Sequence, residues 1–292
     1  MRESSSKFPL MSSAPRFSLR CLLVPVLFSV VQSSAFALIA PGDLEASSSE
    51  PALHEALRRS GYQVSFPYWK HVGQIERSTG VYLGGGYVLT AAHVGAGSFR
   101  SCDGGIYPVV PESVKFFRNR DGSTADLCLF RIQLLESDPL AKLPTIPLAT
   151  LPPRRGRELL LIGGGASWKR DGKSEKPGFA WGDDYRVRWG LNAIQEIYSA
   201  PMPTHEFESY GFATRFSASN QCQAAPGDSG GAAFHFNPRE RRWELAGVIV
   251  AVDSEFGAAS FGNQTYIADP VLFRRDLAVV QSSRPAILAV RP

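Results

Sequence analysis

The chain has 292 residues, 44% hydrophobic and 20% charged, which is enough apolar material to bury one or two cores and excludes both wholesale disorder and a polytopic membrane protein. Its formal charge of +4 belongs mostly to the amino terminus, because without residues 1–37 there remain 27 basic and 26 acidic residues. A near-neutral body with no long basic run gives no electrostatic basis for binding nucleic acid.

Residues 1–37 read as an export signal. A basic stretch ending at Arg20 precedes the apolar run Cys21-Leu-Leu-Val-Pro-Val-Leu-Phe-Ser-Val-Val31, and Ala35-Phe-Ala37 has the small-x-small form of a cleavage site. Eleven apolar residues interrupted by Pro25 fall short of the ~20 needed to span a bilayer. Cys21 stands at the start of the apolar run instead of following the cleavage site, which argues against a lipid-anchored terminus. The expectation is cleavage after Ala37, a secreted or periplasmic product, and no membrane attachment once the signal is removed.

Residues 38–59 follow as an amino-terminal arm that is small and polar at first, with a short helix predicted over 51–59. Beyond it, short apolar runs are punctuated by Gly, Pro, Asn, Asp and Ser, the pattern of an all-β chain. Strands are predicted at 72–76, 81–83, 87–90, 114–117, 127–132, 159–162, 186–189, 231–236, 245–252 and 264–267. Prolines 144, 147, 152 and 153 make 143–155 a linker between two halves, and 169–178 reads as a solvated hairpin loop. Asp269-Pro270 followed by Val271, Leu272, Leu277, Ala278 and Val279 predicts one carboxy-terminal helix. The domains are therefore placed at 60–153, then at 154–283 including that helix, with a tail at 284–292.

After signal removal three cysteines remain, so at most one internal disulfide forms. Cys128 lies in an apolar run and reads as a buried thiol, leaving Cys102 and Cys222 as the weak candidates for a bridge. No C-x-x-C or H-E-x-x-H spacing suggests a metal site, and no cofactor is implied.

Three segments carry chemistry. Val88-Leu-Thr-Ala-Ala-His-Val94 is an apolar strand delivering His93 at its end, and Ala125-Asp-Leu-Cys-Leu-Phe-Arg-Ile132 places Asp126 at the mouth of another. Taken singly, such a histidine is ordinarily structural and such an aspartate a turn residue. Ala225-Pro-Gly-Asp-Ser-Gly-Gly-Ala232 is more specific, since glycines on both sides of Ser229 allow a tight turn that exposes the hydroxyl and converges backbone N–H groups. His54, His71, His205 and His235 lack the strand-end context and read as surface or structural.

Thr90-Ala-Ala-His93, Asp126 and Gly227-Asp-Ser-Gly-Gly231, in that order, resemble the trypsin/chymotrypsin family of serine endopeptidases, closest to exported bacterial-type members, over about 72–277. The resemblance implies two six-stranded antiparallel β-barrels with the active site between them. It implies Ser229 as nucleophile, His93 as base and Asp126 as its orienting acid, with the N–H groups of Gly227 and Ser229 as the oxyanion hole. It also implies a substrate pocket with Gln223 at its base, Ala224 beside it, and Val250, Ala251 and Val252 along one wall. Asp228 would form a structural ion pair. No Ile/Val-Val-Gly-Gly sequence follows a basic residue before His93, so Arg186 or Arg188 is the candidate cation, with a hydrogen-bonded Asp228 as the alternative.

The chain departs from the family pattern around Cys222, which is displaced from the usual half-cystine position, and after His93, where Val94 stands in place of a cysteine. The hydroxyl that ordinarily supports the catalytic aspartate is missing or displaced in Val250-Ala-Val252. The expected function is a monomeric, exported serine endopeptidase acting on polypeptides, with a neutral pocket unless Asp253 or Glu255 enters it. An esterase-like acyl hydrolase and an inactive protease-fold binding module are the alternatives.

Overall fold

The structure, a computed structural model, describes residues 47–170, 178–202, 207–254 and 258–282. The expected signal, the first part of the arm (38–46), the tail, His205 and Glu255 lie outside the described residues. The first element, α1 (Glu50–Arg59), starts where the Ser49 side chain accepts from Ala52 N and Pro51 occupies the first turn. Leu53 and Leu57, one turn apart, are its buried face and join a core with Phe66, Trp69, Phe234 and Trp243.

Seven strands follow: β1 (Val72–Ile75), β2 (Ser78–Gly84), β3 (Tyr87–Thr90), β4 (Phe99–Arg100), β5 (Ile106–Tyr107), β6 (Lys115–Arg118) and β7 (Thr124–Arg131). They form one antiparallel sheet in the order β5-β4-β1-β2-β3-β7-β6. Gly84, which ends β2, and Gly85 and Gly86, which follow it, all take positive φ, a turn that side chains would strain. The sheet curls until Val110 N–H meets Arg131 O and Gln133 N–H meets Pro108 O, at 2.8 Å each. Among the described residues β4 and β5 are only two residues long, and a bridge between Val109 and Ile132 links the β5 side of the sheet back to the β7 side.

The proline-rich stretch is hydrogen-bonded on both sides. Ile146 N–H donates to Leu83 O of β2, while Ala149 N–H donates to Leu245 O, whose own N–H donates to Pro147 O. The stretch is thereby pinned to both halves of the molecule.

The second half holds β8 (Glu158–Gly163), β9 (Ala166–Arg170), β10 (Gly178–Tyr185), β11 (Arg188–Ile197), β12 (Gly211–Arg215), β13 (Ala232–Asn237), β14 (Arg242–Val252), β15 (Ala258–Ser260) and β16 (Gln264–Ala268). Six of them close a barrel in the order β11-β12-β16-β14-β13-β8, and β15-β10-β9 form a small separate sheet. The polar insertion thus has paired strands on either side of it, with 171–177 outside the described residues. The carboxy-terminal segment divides into a 3₁₀ turn, Pro270–Phe273, and α2 (Arg274–Ser282). No helix among the described residues is long and apolar enough to cross a membrane.

Cys102, Cys128 and Cys222 are all free. The candidate bridge does not form, since Cys102 sits on an exposed turn after β4 and Cys222 is fully buried. Of the histidines read as structural, His71 is buried with Nδ1 2.7 Å from Tyr82 O. His235 is buried against Glu244 at 3.3 Å, and half-buried His54 meets Phe66 O at 3.1 Å.

Candidate active site

His93 lies three residues past the end of β3, and Asp126 is the third residue of β7, the strand paired with β3. Asp126 is buried, whereas the His93 side chain is one-third exposed (33%), as a group that must meet a ligand needs to be. Both carboxylate oxygens of Asp126 serve the histidine: Oδ2 lies 2.7 Å from Nδ1 and Oδ1 accepts the His93 backbone N–H at 3.0 Å. With Nδ1–H donating to the carboxylate, Nε2 is left as the basic nitrogen, directed away from Asp126.

The Ser229 turn comes from the other half of the molecule, between Cys222 and β13, and docks on β2 through Thr79. Thr79 N–H donates to Ser229 O at 2.9 Å, Thr79 Oγ1 donates to Gly227 O at 2.7 Å and accepts Gly164 N–H at 2.8 Å, and Thr79 O accepts from Thr90 Oγ1 at 2.7 Å. One residue therefore ties the serine turn to Thr90, the last residue of β3, three residues before His93. Gly230 takes φ +85°, and a Cβ there would fall 2.0 Å from Thr79 O. Gly227 takes φ +91°, and its Cβ would fall 2.3 Å from Arg77 O. The glycine spacing is thus a requirement of close backbone docking. Neither Gly227 N–H nor Ser229 N–H has a hydrogen-bond acceptor among the described residues, while the intervening Asp228 N–H is bound to Ala225 O.

Asp228 is buried, and its oxygens accept Gly165 N–H at 2.8 Å and Ala225 N–H at 2.7 Å. Burial pushes its carboxyl up to about 7, against the two N–H groups and the nearby Arg188 charge that favour the ionised form. Among the described residues it has no ion pair, in correction of the expectation from resemblance. The buried Arg188 guanidinium is turned to Asp184 at 2.9 Å and to Gly165 O at 3.2 Å, and Arg186 also pairs with Asp184. Two backbone donors stand where a cation was expected, which is the hydrogen-bonded alternative.

Gln223 is completely buried. Its Nε2 donates to Asp253 O at 2.8 Å, and its Oε1 has no partner among the described residues. Ala224 N–H donates to Thr265 Oγ1 at 2.9 Å. Val250 is buried and Ala251 and Val252 are half-buried at the end of β14. The Asp253 carboxylate is engaged by Gln264 N–H at 3.0 Å and Tyr266 Oη at 3.1 Å.

Sequence reasoning missed Thr79 and Ser209, whose Oγ accepts the Asp126 backbone N–H at 2.8 Å. Neither lies in a motif. Thr79 lies just before the apolar run of β2, beside a second small hydroxyl residue, Ser78, and neither it nor Ser209 carries a distinguishing signal.

Residues 78–248 match the trypsin-like peptidase domain family. No curated protein matches the chain. Among solved structures it is similar to an HtrA-type protease, AlgW with decapeptide, at 18% identity and a TM-score of 0.42, over 70% of this chain and 52% of that one. It is also similar to a mutant of human heparin binding protein at 14% identity and a TM-score of 0.48, over 76% of this chain and 96% of that one. The chain thus spans about half the length of the AlgW structure.

Proposed function

The chain belongs to the trypsin-like peptidase family, and from that premise we propose that it is an exported serine endopeptidase in which Ser229, His93 and Asp126 are the catalytic triad. The observation that carries this reading is the His93–Asp126 pair, with Nδ1 2.7 Å from a buried carboxylate and the ring partly open to solvent. A serine hydroxyl is a weak nucleophile near neutral pH and requires an adjacent base. His93 Nε2 takes the Ser229 proton as Oγ attacks a peptide carbonyl. Asp126 fixes the tautomer and favours the imidazolium that forms. The developing oxyanion is received by the N–H groups of Gly227 and Ser229, which have no acceptor among the described residues, the kind of donor whose loss costs on the order of 10²–10³ in turnover. The protonated His93 then donates to the leaving amine, and water hydrolyses the acyl-enzyme by the reverse sequence.

In this reading Gln223, Ala224, Val250, Ala251 and Val252 form the pocket for the side chain preceding the scissile bond. An amide base carries no charge. The Asp253 carboxylate already has two donors, which supports a pocket selecting uncharged side chains. Export, a polypeptide substrate and a monomeric state complete the proposal.

Covalent labelling by a fluorophosphonate tests the assignment. We expect wild-type protein to be labelled at Ser229, and Ser229→Ala to be unlabelled. Labelling of His93→Ala should be slowed severely. A wild-type chain that is folded yet inert to the reagent would instead favour an inactive binding module.

A further inference from the structure

We propose that Ser209 is a positioning residue that sets the orientation of Asp126 from the opposite half of the molecule. The proposal rests on the reading of Asp126 and His93 as acid and base of the triad. Its origin is an irregularity in β7. The β6–β7 register passes from Phe116 opposite Cys128 to Arg118 opposite Thr124, so two steps on β6 face four on β7. The surplus chain bulges at Asp126 and carries its backbone N–H out of the regular ladder. That N–H is buried and needs an acceptor. Ser209 Oγ, itself 1% exposed, supplies it at 2.8 Å.

The segment bearing Ser209 is held as a strap along the bulge. Glu208 N–H donates to Thr124 O at 3.0 Å, Asn119 Nδ2 donates to Glu208 O at 2.5 Å, and Met202 N–H donates to Ser209 O at 2.8 Å. The hydroxyl therefore meets Asp126 from a fixed position. Because both oxygens of the Asp126 carboxylate are bound to His93, any rotation of the residue 126 backbone is passed to the imidazole. Ser209 does not touch His93 in any hydrogen bond of the described residues, so its effect on chemistry runs through Asp126 alone.

Two readouts distinguish positioning from mere support: the downfield proton signal of the His93 Nδ1–H bond to Asp126, and the division of any kinetic loss between kcat and KM. Removing one net hydrogen bond that aligns the acid should lower kcat about three- to tenfold. Ser209→Ala is therefore expected to shift or broaden the His93 signal and to lower kcat with KM unchanged. Ser209→Thr, which keeps the oxygen, should retain the signal. Asn119→Ala, which loosens the strap without removing the acceptor, should lower Tm and leave the signal in place. An unaltered signal and kcat in Ser209→Ala, or the same spectral change in Asn119→Ala, would overturn the proposal. Should Ser209→Ala not fold, Ser209→Thr decides: a wild-type signal supports the proposal and a lost one refutes it. A wild-type protein inert to fluorophosphonate would refute the peptidase reading alone, since the His93 signal reports on Ser209 independently of turnover.

Discussion

Asp228 sits beside the proposed nucleophile as a carboxyl with two backbone donors and, among the described residues, no ion pair, and its protonation has a definite sign. Its folded value of about 7 lies well above the ordinary 3.8. The folded chain thus binds this proton more tightly than the unfolded chain, and the stability it contributes is complete below about 3.8 and lost as pH rises through about 7. Asp269, raised to about 6 by burial, acts in the same sense. His71 opposes both, because burial lowers it to about 4, so its contribution is present above 6.5 and lost as pH falls through 4. Asp228→Asn isolates the first effect. The variant places an amide N–H against one of the two backbone donors, so it should be less stable than wild type at low pH. Its deficit should then shrink by about 1–3 kcal/mol between roughly pH 5 and 8. Urea unfolding of both proteins at several pH values measures this, and parallel stability curves would contradict a raised Asp228.

Among the elements, α1 shows how a helix outside the sheets is held by two side chains. Leu53 and Leu57 enter the cluster around Phe66, Trp69, Phe234 and Trp243, and both are buried. Leu53→Ala should cost about 2–5 kcal/mol through lost burial and the cavity left behind. An exposed change on the same helix, Arg59→Ala, should cost well under 1 kcal/mol, the usual value of a surface ion pair; equal losses in urea unfolding would show that α1 is not packed as described. This helix was legible because its cap, Pro51 and leucine spacing all lie within ten residues. β3 and β7 were legible as short, mainly apolar runs, one followed by His93 and the other preceded by Asp126. β12, Gly211-Phe-Ala-Thr-Arg215, was not, since a short strand opening on glycine has no periodicity to read and is identified only by its partners β11 and β16. β9 and β10 were hidden because a polar hairpin resembles a solvated loop until its pairing is known. Ser209 was invisible for a deeper reason: its importance depends on a bulge in a strand 83 residues away.

At the scale of the whole molecule, the proposed catalytic groups are divided between the curled sheet, which supplies His93 and Asp126, and the closed barrel, whose loop supplies Ser229. Their alignment depends on contacts that cross between the halves: Thr79 on the Ser229 turn, the pinned proline-rich stretch, and Ser209 on Asp126. Cross-linking of this kind makes the site a product of the complete fold, consistent with the motifs being readable while the residues that align them were not. Cleavage of a mixed peptide library by the wild-type protein and its Ser229→Ala and His93→Ala variants tests the central claim most directly. The account predicts cleavage by the wild type after uncharged residues, with no gain for Arg or Lys, and most turnover abolished by either substitution without loss of folding, the two effects being non-additive in the double variant. Undiminished cleavage by folded Ser229→Ala, or none by the folded wild type, would contradict it.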